Sequence, residues 1–409
     1  MAISLQKHDF VEGGGMKVLQ INIFGNLSTG RIAVDVYRTL RESGHDGLVA
    51  FARNSIAEDV PYLKIGSKWS VYSDVMATRF TDRAGFYSRK ATQRLIEQIQ
   101  DYNPDIIHLH NIHGYYINIE ILFEYLRKAG KAVVWTLHDC WSFTGHCCYF
   151  EFIGCKKWLA GCHDCGQTRN YPASYFIDNS VQNYTFKQKF FTGIENMVLV
   201  TPSYWLRNLV KQSFMGKYPV KVIRNGVDLD IFKPTVGSWI KDHGLERKKI
   251  VLGVAGTWAP RKGLSDLLQL DRNLSDEYQV IIVGVNRNQK VQLPSSVIGI
   301  ERTYDSKELA ELYTAAYVFV NPTYEDNFPN VNIEALACGT PVITYETGGC
   351  PELITDGIGK VVPQGDIKGL CEAILSKNYI KEECINMGKK FDRNICYRQY
   401  IDLYEDILK

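Results

Sequence analysis

The sequence predicts an α/β protein built from two doubly wound domains, and three observations lead there. A chain of 409 residues is long for one ordinary domain and fits two of roughly 200. Short β-branched runs alternate with helical periods along most of its length. The first of those runs also leads through a glycine turn straight into a helix, which is how such a domain begins.

Taken in order, residues 1–15 show no period and end in three glycines, so they are read as a leader, disordered and outside the fold. Met16 to Phe24 reads as a buried parallel strand. Gly25 to Gly30 is the turn, and Ile32, Val36 and Leu40 line one face of a helix that stops at Ser43-Gly44. Further strands are expected at Gly47–Ala52, Asp105–Leu109, Ala132–Leu137, Met197–Pro202 and Val220–Ile223, giving a first domain of five or six strands over residues 16–228. The second domain, residues 229–390, opens with the strand Ile250–Ala255. It continues near Val280–Gly284, Val297–Ile300, Ala316–Val320, Val342–Thr344 and Lys360–Val362. Residues 391–409 read as a closing helix that could cross back onto the first domain.

Composition narrows the function classes. With 45% hydrophobic and 22% charged residues the chain is ordinary for a soluble globular protein. A net charge of +2 argues against nucleic acid as a partner held by bulk electrostatics. No apolar run approaches the roughly 20 residues of a membrane span and no secretory signal opens the chain, so the expected compartment is the cytoplasm. Eleven cysteines, an odd number partly set in apolar patterns, do not suggest a secreted disulfide scaffold.

The stretch that carries most chemistry is Asn321 to Ile343, NPTYEDNFPNVNIEALACGTPVI. A buried strand stops at Pro322, an acidic loop runs from Tyr324 to Asn330, and a helix follows, closed by Gly339 and Pro341. Asp326 in the loop and Glu334, placed in the first helical turn, flank a helix N-terminus at the C-terminal end of a strand. Open α/β sheets bind ligands there. Free N–H groups at the helix start can hold phosphate while a carboxylate to one side accepts from sugar hydroxyls, a mixture suited to a nucleotide-sugar. On composition alone, helix-dipole and capping roles for the two acids are the more frequent explanation.

This stretch resembles the signature helix of the retaining glycosyltransferases of family 4 (GT4), which have the GT-B fold. Their pattern is two acids separated by seven residues and then EA-A-GTPV, so the second acid falls on Glu334 and the first on Asp326 rather than the usual Glu. Thr257 to Gly263 resembles the family's KG turn, which implies that Lys262 meets the donor diphosphate. Thr257 stands where the family usually has an arginine, and Arg261 is the candidate substitute. Thr347 to Glu352 resembles its GG-x-PE loop, and Lys221 to Pro234 its NGVD-x-x-x-F interdomain segment. WTLHDCWSFTGH, residues 135–146, resembles the segment whose histidine faces the transferred sugar, here His138, with Asp139 as a weaker neighbour. The resemblance thus implies two Rossmann-like domains facing across a cleft. It implies catalytic roles for His138, Lys262, Asp326 and Glu334. Donor contacts would come from Gly25, Gly30, Arg261, Lys262, Asn330, Glu334, Gly348 and Gly349. The implied reaction is transfer of a sugar from a nucleotide-diphosphate donor to a glycan or lipid-linked oligosaccharide in cell-surface polysaccharide assembly, with configuration retained and no catalytic cofactor. An epimerase or phosphorylase on the same fold, and a non-enzymatic zinc-containing binding protein, are the alternatives.

Three further features are weighed separately. Asp228-Leu229-Asp230 matches a metal-binding DxD but lies in a linker, where chance is the better explanation. Trp69 to Ile99 mixes Trp69, Tyr72, Phe80, Phe86 and Tyr87 with Arg79, Arg83, Arg89, Lys90 and Arg94, and Lys68 stands just before it. It reads first as a packed helix pair with a basic face, and second as a peripheral surface for the inner face of a membrane. Finally, Cys147, Cys155, Cys162 and Cys165 form C-x7-C-x6-C-x2-C, whose last knuckle has zinc spacing. A four-cysteine structural zinc is expected there, with His163 or Cys148 as substitute ligands and disulfides or free thiols as the competing outcomes.

Overall fold

The computed structural model describes residues 15–376 and 378–409; the expected leader, apart from Gly15, lies outside them. The chain forms two compact units, one of residues up to Ile223 together with Tyr397–Lys409, the other Arg224–Cys396.

The first unit is a seven-stranded sheet of β1 (Lys17–Phe24), β2 (Asp46–Arg53), β3 (Tyr62–Lys64), β4 (Ile106–Leu109), β5 (Ala132–Thr136), β6 (Met197–Thr201) and β7 (Val220–Val222). Its order is β3-β2-β1-β4-β5-β6-β7 and every pairing is parallel. The central strands are buried on both faces, so they read as largely apolar runs, and the polar Gln20, Asn22, His108 and Thr136 set in them are buried too. β3 escapes a sequence reading because it is a three-residue edge strand with only Leu63 buried. The winding reverses between β1 and β4, so the segments after these strands and β5, namely Gly25, His110 and His138, emerge at one end of the sheet.

The second unit is a six-stranded parallel sheet of β8 (Lys249–Val254), β9 (Tyr278–Val283), β10 (Ile298–Ile300), β11 (Val318–Asn321), β12 (Val342–Tyr345) and β13 (Gly359–Val362), in the order β10-β9-β8-β11-β12-β13. Alternate residues feed two cores: Leu252, Ile281 and Phe319 pack on one side, Val251, Ile282 and Val320 on the other. Here the reversal lies between β8 and β11, which places the basic turn after β8 next to the acidic loop after β11.

Both sheets are Rossmann-like. The expected boundary after Asp228 falls instead between Ile223 and Arg224, because the following segment is sewn into the second unit. Val227 N–H donates to Phe391 O (2.8 Å), Arg393 N–H donates to Val227 O (3.0 Å), and Arg224 pairs with Glu352. Asp228 forms an ion pair with Arg393 at 2.7 Å and accepts from the Asp230 N–H at 3.0 Å, so this carboxylate serves as a staple and turn cap. From Tyr397 onward the last helix, Arg393–Leu408, belongs to the first unit, where Tyr400 bonds Thr136, Tyr404 bonds His108 and Arg398 bonds Ser43.

Candidate functional site

In the second unit three chain segments meet at the ends of β8, β11 and β12. The turn after β8 becomes a short 3-10 segment, Pro260–Lys262, and Gly263 follows in the left-handed region at φ 74°. A side chain there would overlap the Pro322 carbonyl, so the basic turn can sit directly on the acidic loop only with glycine at this position. Tyr324 N–H donates to Arg261 O (2.8 Å) and the Arg261 guanidinium donates to Glu325 O (2.8 Å), so both sides of Arg261 hold the start of the loop. Lys262 forms an ion pair with Asp326, both largely buried. From the other side Gly348, at φ 55°, packs its backbone against Asp326, whose carbonyl accepts from Gly349 N–H at 3.3 Å.

The helix that follows runs Asn330–Ala337. Glu334 is therefore its fifth residue and lies in the second turn, not the first as expected, because the helix begins immediately after Pro329. Its carboxylate accepts from the buried Tyr313 hydroxyl at 3.2 Å. Asn330 opens the helix and accepts from Asn225 at 3.0 Å. Lys262, Arg261, Asp326, Gly348 and Gly349 are thus joined in one constellation beside that helix start.

Gly25 and Gly30 are explained by close backbone: a Cβ would overlap the Ser55 carbonyl at the first and the Phe24 carbonyl at the second. His138 belongs to a chain of buried polar groups. Gln20 donates its amide to Ala33 O (2.8 Å), leaving its oxygen for His110 Nε2–H (3.0 Å). His110 Nδ1 must then accept, and His138 Nε2–H is its donor at 3.2 Å. Burial holds His138 down to about 4 and His108 down to about 3, so both are neutral at pH 7. Asp139 has a different partner, His113 Nε2–H at 2.8 Å, while His113 Nδ1 faces the Tyr171 hydroxyl at 3.0 Å. Burial favours its neutral form, but His113 and the Trp141 N–H outweigh that and hold its carboxyl below the usual range.

Depressed histidines make stability depend on pH. Below the ordinary value of about 6.5 the unfolded chain binds protons that folded His108 and His138 refuse, so stability should fall as pH drops toward 4. Asp74, raised by burial to about 6, and His146, raised by its Asp82 partner despite burial, act in the opposite direction. The expected result is a lower melting temperature at pH 5 than at pH 7, with a smaller difference in His108→Gln. An unchanged difference in that variant would remove the histidine assignment.

The comparisons with known proteins cover both units. The model described as Glycosyltransferase Family 4 matches residues 29–231, and that described as Glycosyl transferases group 1 matches residues 236–392. The chain belongs to glycosyltransferase family 4. Among curated relatives, the glycosyltransferase is 25% identical over 288 residues to WcaC of Escherichia coli K12, a candidate colanic acid biosynthesis glycosyl transferase, covering 68% of each chain. It is 22% identical over 303 residues to a D-inositol 3-phosphate glycosyltransferase of Corynebacterium jeikeium, covering 69% of this chain and 68% of the relative. Among solved structures, a glycosyltransferase from Rickettsia africae gives a TM-score of 0.69 at 16% identity, covering 97% of this chain and 100% of the other. Anabaena HepE in complex with UDP gives 0.67 at 15%, covering 96% and 100%. These structural likenesses bear out the GT-B fold class.

In the glycosyltransferase the cysteine-rich segment is an ordered module on the first unit. Phe143, Phe150 and Trp158 form a small aromatic core, with ring centroids 5.0 to 6.3 Å apart, so the segment is less dependent on a staple than its aliphatic content suggests. All of its cysteines are free thiols. Among the described residues, the possible ligand atoms lying within 4.8 Å of one another are those of His113, Asp139 and Cys148. Both nitrogens of His113 are occupied there by hydrogen bonds, and Cys147, Cys155, Cys162 and Cys165 are not gathered in such a group.

Sequence reasoning missed Gln20, His108, His110 and Asn225 as supports of the site. For the histidines the signal was visible: His108, His110 and His113 fall within six residues at the end of one strand.

Proposed function

We propose that the enzyme transfers a hexose or related sugar from a nucleotide-diphosphate donor to a glycan or lipid-linked oligosaccharide acceptor, with retention of configuration, in cell-surface polysaccharide synthesis. The observation that carries this reading is the Lys262–Asp326 pair beside a helix start, clamped between the Arg261 turn and Gly348-Gly349. A diphosphate entering there would exchange Asp326 for phosphate oxygens as the partner of Lys262, and the leaving charge would be met by a fixed ammonium and backbone N–H groups. Glu334, oriented by Tyr313, would accept from ribose hydroxyls. The role that the resemblance gives His138, in the first unit, would be played by hydrogen bonding rather than by charge, since burial keeps it neutral. Support for the donor class comes from the HepE structures with UDP and UDP-glucose, and support for the polysaccharide setting from the colanic acid relative.

No protein nucleophile is needed if the leaving phosphate deprotonates the acceptor on the same face. Because Lys262 and the helix start supply the positive charge, catalysis should not require a metal. Activity is expected to survive EDTA treatment that leaves the fold intact, as measured by donor turnover. Loss restored by Mg²⁺ or Mn²⁺ would overturn metal independence.

No helix among the described residues is long and apolar enough to cross a membrane. A lipid-linked acceptor would be reached through the exposed Trp69, Tyr72, Phe80 and Phe176, which lie near Lys68 and Arg79 in the chain or in space. The deciding experiment incubates a panel of labelled nucleotide-sugars with and without acceptor lipid extract. Label transferred only when acceptor is present supports the reading; donor isomerised or phosphorolysed without acceptor would replace it.

A further inference from the structure

We propose that Gln20 is a positioning residue for the transfer reaction: acting through His110, it decides which ring nitrogen of His138 carries a proton. This rests on the role in sugar transfer proposed above for His138.

Gln20 lies in β1 between Leu19 and Ile21 and is 1% exposed. An amide buried in an apolar strand is costly unless both of its ends are bonded. Both are. Its NH2 group donates at 2.8 Å to Ala33 O, in the helix Thr29–Glu42, and this bond fixes the orientation, since with nitrogen and oxygen exchanged two oxygens would face each other. The amide oxygen is thereby turned toward His110 Nε2 at 3.0 Å, where it can only accept.

The sheet keeps these groups opposite one another. Gln20 pairs with His108 across β1 and β4, and His110 N–H donates to Ile21 O at 2.9 Å. On the other side the Trp135 indole donates to His110 O at 3.0 Å. The His108 ring packs on that of His110 with centroids 4.0 Å apart, and is itself held between Thr136 (2.8 Å) and the Tyr404 hydroxyl of the closing helix (2.6 Å).

The proton positions then follow one from another. His110 is buried and, among the described residues, no carboxylate is bonded to it, so the ring is neutral and carries a single proton. The Gln20 oxygen draws that proton to Nε2, which leaves Nδ1 as an acceptor. His138 Nε2, at 3.2 Å, must therefore carry a hydrogen, whether His138 itself is neutral or charged. In the neutral ring Nδ1 bears none. His138 can accept from other groups but has no proton to give them, so it does not serve as a general acid. It is partly exposed whereas Gln20 and His110 are buried, so the order of protons is set in the core and expressed toward the surface. Without the Gln20 oxygen, His110 could carry its proton on Nδ1 and donate to His138, reversing both rings.

The test labels the histidines of the full chain with nitrogen-15 and reads their tautomers from two-bond proton–nitrogen correlations at pH 7. His110 and His138 of the wild type are expected to carry their protons on Nε2. Gln20→Met keeps the bulk and removes the acceptor; it should populate the Nδ1–H form of His138 and lower kcat about tenfold, the scale of one hydrogen bond, with KM for the donor changed less than about twofold. His110→Phe, which removes the next acceptor, should have the same effect and decides if Gln20→Met does not fold. The double variant should lose no more than either single one, because both act through one chain of bonds. A wild-type His138 protonated on Nδ1 would overturn the proposal without any variant. So would wild-type tautomers or wild-type kinetics in folded Gln20→Met, or additive losses in the double variant. Failure of the underlying reading shows separately: wild-type kinetics in His138→Ala would remove His138, and Gln20 with it, from the reaction while leaving the wild-type tautomers as expected.

Discussion

Replacing Lys262 by alanine is expected to lower kcat/KM at least about tenfold, equivalent to roughly 1.4 kcal/mol of transition-state stabilisation. The loss has two sources. The ammonium that would meet the leaving diphosphate is gone, and Asp326, its partner, is left as an unpaired anion facing the same phosphates. Lys262→Ala with Asp326→Asn should therefore recover part of the loss. Glu334→Gln should lower turnover by a similar factor while sparing the fold, since the amide can still take the Tyr313 hydrogen bond. Steady-state kinetics with the true donor measure both. Wild-type constants in the two single variants would remove the donor site from this part of the molecule.

The second large effect is expected from a single methyl group. Gly348 holds φ 55°, and a Cβ there would overlap the Asp326 carbonyl oxygen. Alanine meets about 1–2 kcal/mol of left-handed backbone strain and must also push the acidic loop off its seat. Gly348→Ala should therefore destabilise the second unit by at least about 2 kcal/mol and, by displacing Asp326 and Lys262, abolish most activity. Gly256→Ala is the control, because a Cβ there meets nothing within 4 Å. Urea unfolding followed together with turnover distinguishes the outcomes. Equal stability in both variants would show that the loop yields without cost.

Much of the fold was legible because central parallel strands, buried on both faces, are largely apolar, and the short edge strands Val220–Val222 and Ile298–Ile300, though not fully buried, still carry β-branched residues. The one strand missed, Tyr62–Lys64, is three residues long and has no β-branched residue to mark it. The basic turn, the acidic loop and the glycine loop were legible too, because each needs particular residue types locally: glycine where backbone passes close, proline where a strand must stop.

The partners of those residues were not legible. That Asp326 pairs with Lys262, that Glu334 leans on Tyr313, and that His138 donates to His110 are contacts between segments 21 to 64 positions apart in sequence. Nothing in a local pattern encodes them. They follow from the order of the strands, and only that order decides which loop ends lie side by side. The sequence by itself determined which residues could do chemistry; the tertiary structure decided which are charged, which are held neutral by burial, and which donor faces which acceptor, because these depend on desolvation and on neighbours brought from elsewhere in the chain.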